Sequence, residues 1–258
     1  GRTRARDFES VLDQFVRRQH FLDLGITPEE LRAAVTYETD NPPREIFNGA
    51  MRAFAARHGK PRWGEKTPQH WEHVPRLLRW FPDARVIWMV RDPRAVMASR
   101  QKVPWGGADF VGQARAWARC WEAATGLLGD DRVRTCFYEE LVEAPERELR
   151  ALCGFVGLDF EPSMLDSDSR AKADTSVWGL SHHRRAAQRV SGAGSGKWVM
   201  QLDSQQLGAV EAAIRGAMWT AGYLPCLDAS VAGSRTLLLE SAVVHELRRL
   251  RLTVLKLL

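Results

Sequence analysis

The sequence predicts an α/β fold, a parallel sheet flanked by helices, and three observations carry that prediction. Residues 84–90 (ARVIWMV) form an almost continuous apolar run, the pattern of a strand buried on both faces. Residues 133–137 (VRTCF) are a second short segment of strand-forming composition. Around both, apolar residues return at helical spacing, so strands and helices alternate, as right-handed parallel crossovers require.

Taken in order, the first 60 residues read as small helices. Phe8, Val11, Leu12, Phe15, Val16 and Leu22 keep a helical rhythm over residues 7–24. Thr27-Pro28-Glu29-Glu30 is a helix start, with Thr27 as cap, Pro28 at the first helical position and acids at the positive end. Ile46 to His58 continues the pattern and stops at Gly59. Pro61-Arg62-Trp63-Gly64 is a short strand candidate. Thr67-Pro68 then opens a helix with Trp71, Val74, Leu77, Leu78 and Phe81 on its apolar face. After the strand at 84–90, Asp92-Pro93 starts a helix and a longer one runs from about Phe110 to Leu128. The strand at 133–137 ends at Tyr138, and a helix follows near Pro145 to Val156.

Residues 166–196 are polar and without period, readable as a binding segment or as plain surface loop. A helix spans Ser204 to Ala221. From Leu237 a last helix carries Val243, Leu247, Leu250, Val254 and Leu257 at 4, 3, 4, 3 spacing. It either docks on the domain or meets a partner helix, which allows a homodimer. The expected division is a domain over 1–225 and a C-terminal helical extension over 226–258.

The bulk numbers exclude several classes. A chain of 258 residues, 45% hydrophobic and 27% charged, has globular rather than disordered composition. No apolar run approaches the ~20 residues of a membrane span, and the charged opening GRTRARDFES does not read as a signal peptide. Cys120, Cys136, Cys153 and Cys226 are scattered without CxxC spacing, as reduced thiols of a cytoplasmic protein would be. The net charge of +5 suits either an anionic ligand or an unspecialised basic surface. Nucleic acid is not expected, because no Lys/Arg stripe is interleaved with aromatics. A GxxxxGK[ST] motif is also missing, which argues against a P-loop NTPase.

The chemistry gathers where strands end, the edge at which parallel sheets bind ligands. In VRDPRAVMAS, Arg91 leaves its strand just before the cap Asp92 and Pro93, beside the open amides of a helix N-terminus. Its planar fork and the hydroxyl of Ser99, two turns on, suit a terminal phosphate; the alternative is a carboxylate partner for Arg91. WGEKTPQH repeats the junction with Lys66, a compact charge suited to a group that changes charge during reaction. Glu65 reads as a general base or as a salt-bridge partner, and His70 as a proton acceptor. His70 and His73 lack the third ligand that a metal would need, so none is expected. Tyr138 can pack on a nucleobase or close a core. SGAGSGKW offers backbone amides, Ser191, Ser195 and Lys197 to an anion. His182 and His183 read as solvated loop or, with Trp105 and Trp178, as lining of an acceptor pocket.

In combination, WGEKTPQH, FPDARVIWMVRDPRAVMASR, YEEL and the GKW segment followed by a helix ending in AGY resemble the bacterial branch of the sulfotransferase family. They are also similar to tyrosylprotein sulfotransferases, and the resemblance covers roughly residues 8–223. It implies a P-loop-like three-layer sandwich that transfers a sulfuryl group from 3′-phosphoadenosine 5′-phosphosulfate to a hydroxyl or amine, without a metal. The product would be 3′-phosphoadenosine 5′-phosphate, and the acceptor a small molecule, carbohydrate or peptide. It implies that Arg91 and Ser99 hold the 3′-phosphate, that Tyr138 contacts adenine and that Lys66 serves the sulfate. Lys197 and Trp198 would close over the nucleotide, with Ser191 or Ser195 matching the family's phosphosulfate serine.

One departure stands out. The family's first strand and its PRSGTT-type 5′-phosphosulfate loop do not occur in this sequence. The expectation is either a chain lacking about 30–45 N-terminal residues, one βα unit with its loop, or a non-catalytic binding module.

Overall fold

The computed structural model describes residues 2–37, 39–103, 106–107, 109–166 and 196–226. These divide into two compact units, one ending at His70 and one beginning at Trp71. Ser191, Ser195, Trp105, Trp178, His182, His183 and the tail from Leu237 lie outside the described residues.

The first unit is helical, as its sequence predicts. It comprises α1 (Arg2–Val16), α2 (Gln19–Asp23), α3 (Pro28–Ala34) and α4 (Pro42–Arg57). Phe8, Leu12, Phe21, Leu31, Ile46 and Ala50 form its core. The rhythm expected over 7–24 is interrupted where Arg18 turns extended (φ −77°, ψ 140°). That break lets Phe21 pack edge-on against Phe15, with centroids 5.6 Å apart. α3 starts as expected: Thr27 Oγ1 accepts the Glu30 amide at 3.1 Å, and the Glu30 carboxylate accepts the Thr27 amide at 2.6 Å. α4 begins ahead of its apolar pattern because Asn41 caps it, accepting the Arg44 amide at 3.2 Å.

The strand expected at Pro61–Gly64 does not form; residues 62–67 are irregular. Four residues with Pro at one end and Gly at the other cannot make a strand without a neighbouring ladder, and the sheet among the described residues has only two strands.

The second unit holds that sheet. A 3-10 turn (Pro68–His73) leads into α5 (Val74–Trp80), then β1 (Val86–Val90), α6 (Pro93–Arg100) and α7 (Phe110–Thr125). β2 (Val133–Phe137), α8 (Tyr138–Glu143), α9 (Pro145–Val156) and α10 (Ser204–Thr220) follow. β1 and β2 pair in parallel from Val86↔Val133 to Val90↔Phe137. α8 was not expected, since six residues are too few to display a helical period.

Trp88 and Val90 on one face of β1 join Met97, Ala114, Trp121, Val210, Ile214 and Met218 in the core. Alternate residues of a strand face opposite ways, so Ile87 and Met89 lie on the other face. They are 40% and 49% exposed, which corrects the expectation of burial on both faces. Among the described residues the helical cover of β1 is one-sided.

Trp121 is the largest fully buried side chain, and its indole Nε1 donates to Thr220 Oγ1 at 2.9 Å, joining α7 to α10. Trp121→Ala is therefore expected to cost about 3–5 kcal/mol in urea unfolding. Leu22→Ala, at a position 58% exposed, should stay within about 0.5 kcal/mol.

Candidate functional site

The parallel register decides what meets at the carboxyl edge of the sheet. Val90 lies beside Phe137, so the next residues, Arg91 and Tyr138, leave their strands side by side. The Arg91 guanidinium carbon lies 4.4 Å from the centroid of the Tyr138 ring, a cation–π contact. Two residues singled out separately in the sequence thus form one pair. Arg91 Nε is buried and has no hydrogen-bond partner among the described residues, so the guanidinium keeps a donor for an added acceptor. An apolar cavity of about 110 Å³, walled by Trp88, Met89, Val96, Trp117, Cys120 and Trp121, adjoins Arg91 and lowers the dielectric around its charge.

α6 begins at this point. Asp92 caps it by accepting the Arg94 amide at 2.8 Å, and Pro93 occupies its first position. Ser99 lies on the same helix and is exposed. Lys197 is exposed as well, in a 3-10 turn (Lys197–Met200) whose Trp198 is buried.

Four residues that the sequence reading passed over hold this edge together. Glu139 is buried and accepts both the Asp92 amide (2.9 Å) and the Tyr223 hydroxyl (2.9 Å). Arg94 is buried too, forked onto Asp92 (3.0 and 2.8 Å) and bound to Glu211 (2.9 Å). Burial works against the Arg94 charge, but Asp92 and then Glu211 more than offset it, so the guanidinium stays protonated. A signal for Glu211 did exist. It shares the buried stripe of α10 with Leu207, Val210 and Ile214, and a carboxylate on such a stripe needs a buried cation.

In the first unit the WGEKTPQH segment makes a second arrangement. His70 Nδ1 donates to Glu65 Oε2 at 2.6 Å, since an ionised carboxylate can only accept. The other oxygen of Glu65 accepts the Thr67 hydroxyl. Phe47 stands edge-on to both the His70 ring and Trp63, with centroids 6.4 and 5.7 Å away. With Nδ1 donating to Glu65, a neutral His70 carries its free lone pair on Nε2. Lys66 is exposed. No group of side chains among the described residues is arranged to hold a metal ion.

The stacked pair at the sheet edge makes a direct prediction. In a double-mutant cycle, Arg91→Met and Tyr138→Leu should couple by about 0.5–1 kcal/mol in thermal stability. Additive losses would mean that the contact contributes nothing.

A profile described as "Sulfotransferase family" matches residues 3–162. A putative protein-tyrosine sulfotransferase of Caenorhabditis briggsae is 28% identical over 135 residues, 47% of this chain and 48% of that protein. The protein-tyrosine sulfotransferase of Drosophila melanogaster is 28% identical over 178 residues, 62% of this chain and 35% of that protein. The chain thus spans about half or less of the length of these relatives. Among solved structures, the sulfotransferase domain of the Synechococcus PCC 7002 olefin synthase superposes with a TM-score of 0.53 at 20% identity. That superposition covers 77% of this chain and 78% of that domain, a likeness of fold. With the profile spanning more than half of its length and the overall fold alike, this chain belongs to the sulfotransferase family.

Proposed function

We propose that the chain transfers a sulfuryl group from 3′-phosphoadenosine 5′-phosphosulfate to a hydroxyl or amine acceptor. The observation that carries this reading is the Arg91–Tyr138 pair, a guanidinium with an unmatched buried donor stacked on an aromatic ring at the start of α6. A 3′-phosphate supplies the acceptor atoms that Arg91 lacks, with Ser99 as a neutral second donor. Tyr138 offers its ring to the adenine.

Sulfuryl transfer follows the logic of phosphoryl transfer: an in-line displacement with charge spread over equatorial oxygens, in which position and positive charge do most of the work. Lys66 stabilises the charge developing on the sulfate and on the bridging oxygen. His70, oriented by Glu65 at 2.6 Å, accepts the acceptor's proton at Nε2 as the new O–S bond forms and the bond to the leaving nucleotide breaks. Glu65, with both oxygens engaged, acts in this scheme by orienting His70 rather than as the base itself. Lys197, exposed next to the buried Trp198, completes the nucleotide side.

The relatives named above act, by their names, on protein tyrosine, which favours a phenolic hydroxyl in a peptide among the acceptor classes. No helix among the described residues is long and apolar enough to cross a membrane. All four cysteines are unpaired, and burial first, then Glu148, pushes the Cys136 thiol up to about 11. Unpaired thiols suit a reducing, cytoplasmic setting.

Two measurements test the proposal. In a thermal-shift titration, 3′-phosphoadenosine 5′-phosphate should stabilise the chain more than ADP or ATP does; the reverse order would point to a nucleotide triphosphate enzyme. Lys66→Ala should cost at least about 2–3 kcal/mol of transition-state stabilisation, roughly 30- to 160-fold in kcat. Unchanged turnover in that variant would remove Lys66 from the mechanism.

A further inference from the structure

Arg94 has no part in the mechanism above, yet it is buried and bonded on several sides. Its side chain is 7% exposed. Besides the fork to Asp92 and the bond to Glu211, its Nη1 donates to the Leu224 carbonyl at 3.0 Å. Its flat face lies over the Trp198 indole, 4.1 Å from the ring centroid. Glu211 is itself fixed from behind, accepting the Cys226 amide at 3.0 and 3.1 Å. One guanidinium therefore ties the start of α6, the turn Lys197–Met200, the middle of α10 and residues 224–226 to one another.

Stability alone is a poor explanation for this cluster. Buried ion pairs are costly to desolvate and are often replaceable by apolar side chains without loss. What the cluster does supply is direction. Only a planar fork can grip both oxygens of Asp92 in its plane while stacking on an indole through its face; an ammonium cannot do both. The two things it joins are specific as well. Asp92 follows Arg91 directly and caps the helix that carries Ser99. Trp198 follows Lys197, whose side chain is exposed while the indole is buried.

We propose that Arg94 is a positioning residue: through its stack on Trp198 it fixes the Lys197–Met200 turn against α6, so that Lys197 reaches the nucleotide held by Arg91. Glu211 is the counter-charge that keeps the guanidinium face turned to the indole. The role given to Lys197 rests on the function proposed above, whereas the fixing of the turn does not.

The test separates these two. Hydrogen exchange is measured without nucleotide on the wild-type chain, Arg94→Lys and Glu211→Gln. The amides of Gln201 and Leu202, which bond back to the Trp198 carbonyl at 3.0 Å, should exchange at least about tenfold faster in both variants. Amides of β2 should be unchanged. Binding of 3′-phosphoadenosine 5′-phosphate is then titrated for Arg94→Lys, Lys197→Ala and their combination. Lys197→Ala should weaken it about tenfold or more, the scale of one lost charge-assisted contact. The double variant should bind no worse than Lys197→Ala alone, because Arg94 acts through Lys197.

Unchanged exchange at Gln201 and Leu202 would overturn the proposal, and so would binding losses that add. If Arg94→Lys fails to fold, Glu211→Gln, which keeps the shape of its side chain, takes its place under the same criteria. A wild-type chain that does not bind the nucleotide sinks the proposed function, and exchange alone then decides whether Arg94 holds the turn.

Discussion

The register of β1 on β2 is the constraint on which the carboxyl edge of the sheet depends. Five parallel pairs, from Val86↔Val133 to Val90↔Phe137, deliver Arg91 and Tyr138 to adjacent positions at the same edge. A slip of one residue would turn every side chain of the strand to the opposite face. Trp88 and Val90 would leave the core they share with α7 and α10, and Arg91 would lose its ring. Burial of a tryptophan and a valine, each about 5% exposed, makes that slip expensive, at about 1.5–3 kcal/mol for a large apolar side chain. The site thus inherits its precision from the core.

Polar groups then convert that register into fixed directions. Glu139, one residue beyond Tyr138, accepts the amide of Asp92, one residue beyond Arg91. A carboxylate bridging the two strand ends stops them from splaying apart, and the Tyr223 hydroxyl holds it in place. Asp92 is shared between the cap of α6 and the fork of Arg94. Such networks are stiff because leaving one member unpaired in a low-dielectric interior costs more than the bond itself returns. Stiffness of this kind holds charged groups at fixed positions along the sheet edge.

The first unit approaches its chemistry differently. Glu65, Thr67 and His70 lie within six residues of one another, so their contacts are local and rest on the 3-10 turn that Pro68 opens. The aromatic brace from Phe47 reaches further across the sequence. A local device of this kind can be read from spacing, whereas the network around Arg94 joins residues more than a hundred positions apart.

That difference explains what was legible. Asp92-Pro93 and Thr27-Pro28-Glu29-Glu30 announced their helices because caps act over three or four residues. The run at 84–90 announced a strand because burial repeats along it. Arg91, Ser99, Tyr138 and Lys66 stood out through the family pattern, and Arg91 and Tyr138 also because they follow strands directly, a position that spacing along the chain does reveal. The Pro61–Gly64 segment misled, because a strand exists only with a neighbour to bond to, and four residues say nothing of neighbours. Ile87 and Met89 misled for the same reason: apolar composition records what a face tolerates, not what covers it. The sequence by itself determined the local helices, the two strands and the charged residues that end them. Only the tertiary structure decided that Arg91 stacks on Tyr138, that Glu139 bridges the strand ends and that Arg94 grips Trp198 and Glu211. Those contacts depend on register and packing between distant segments, and no local pattern in the chain encodes a distance through space.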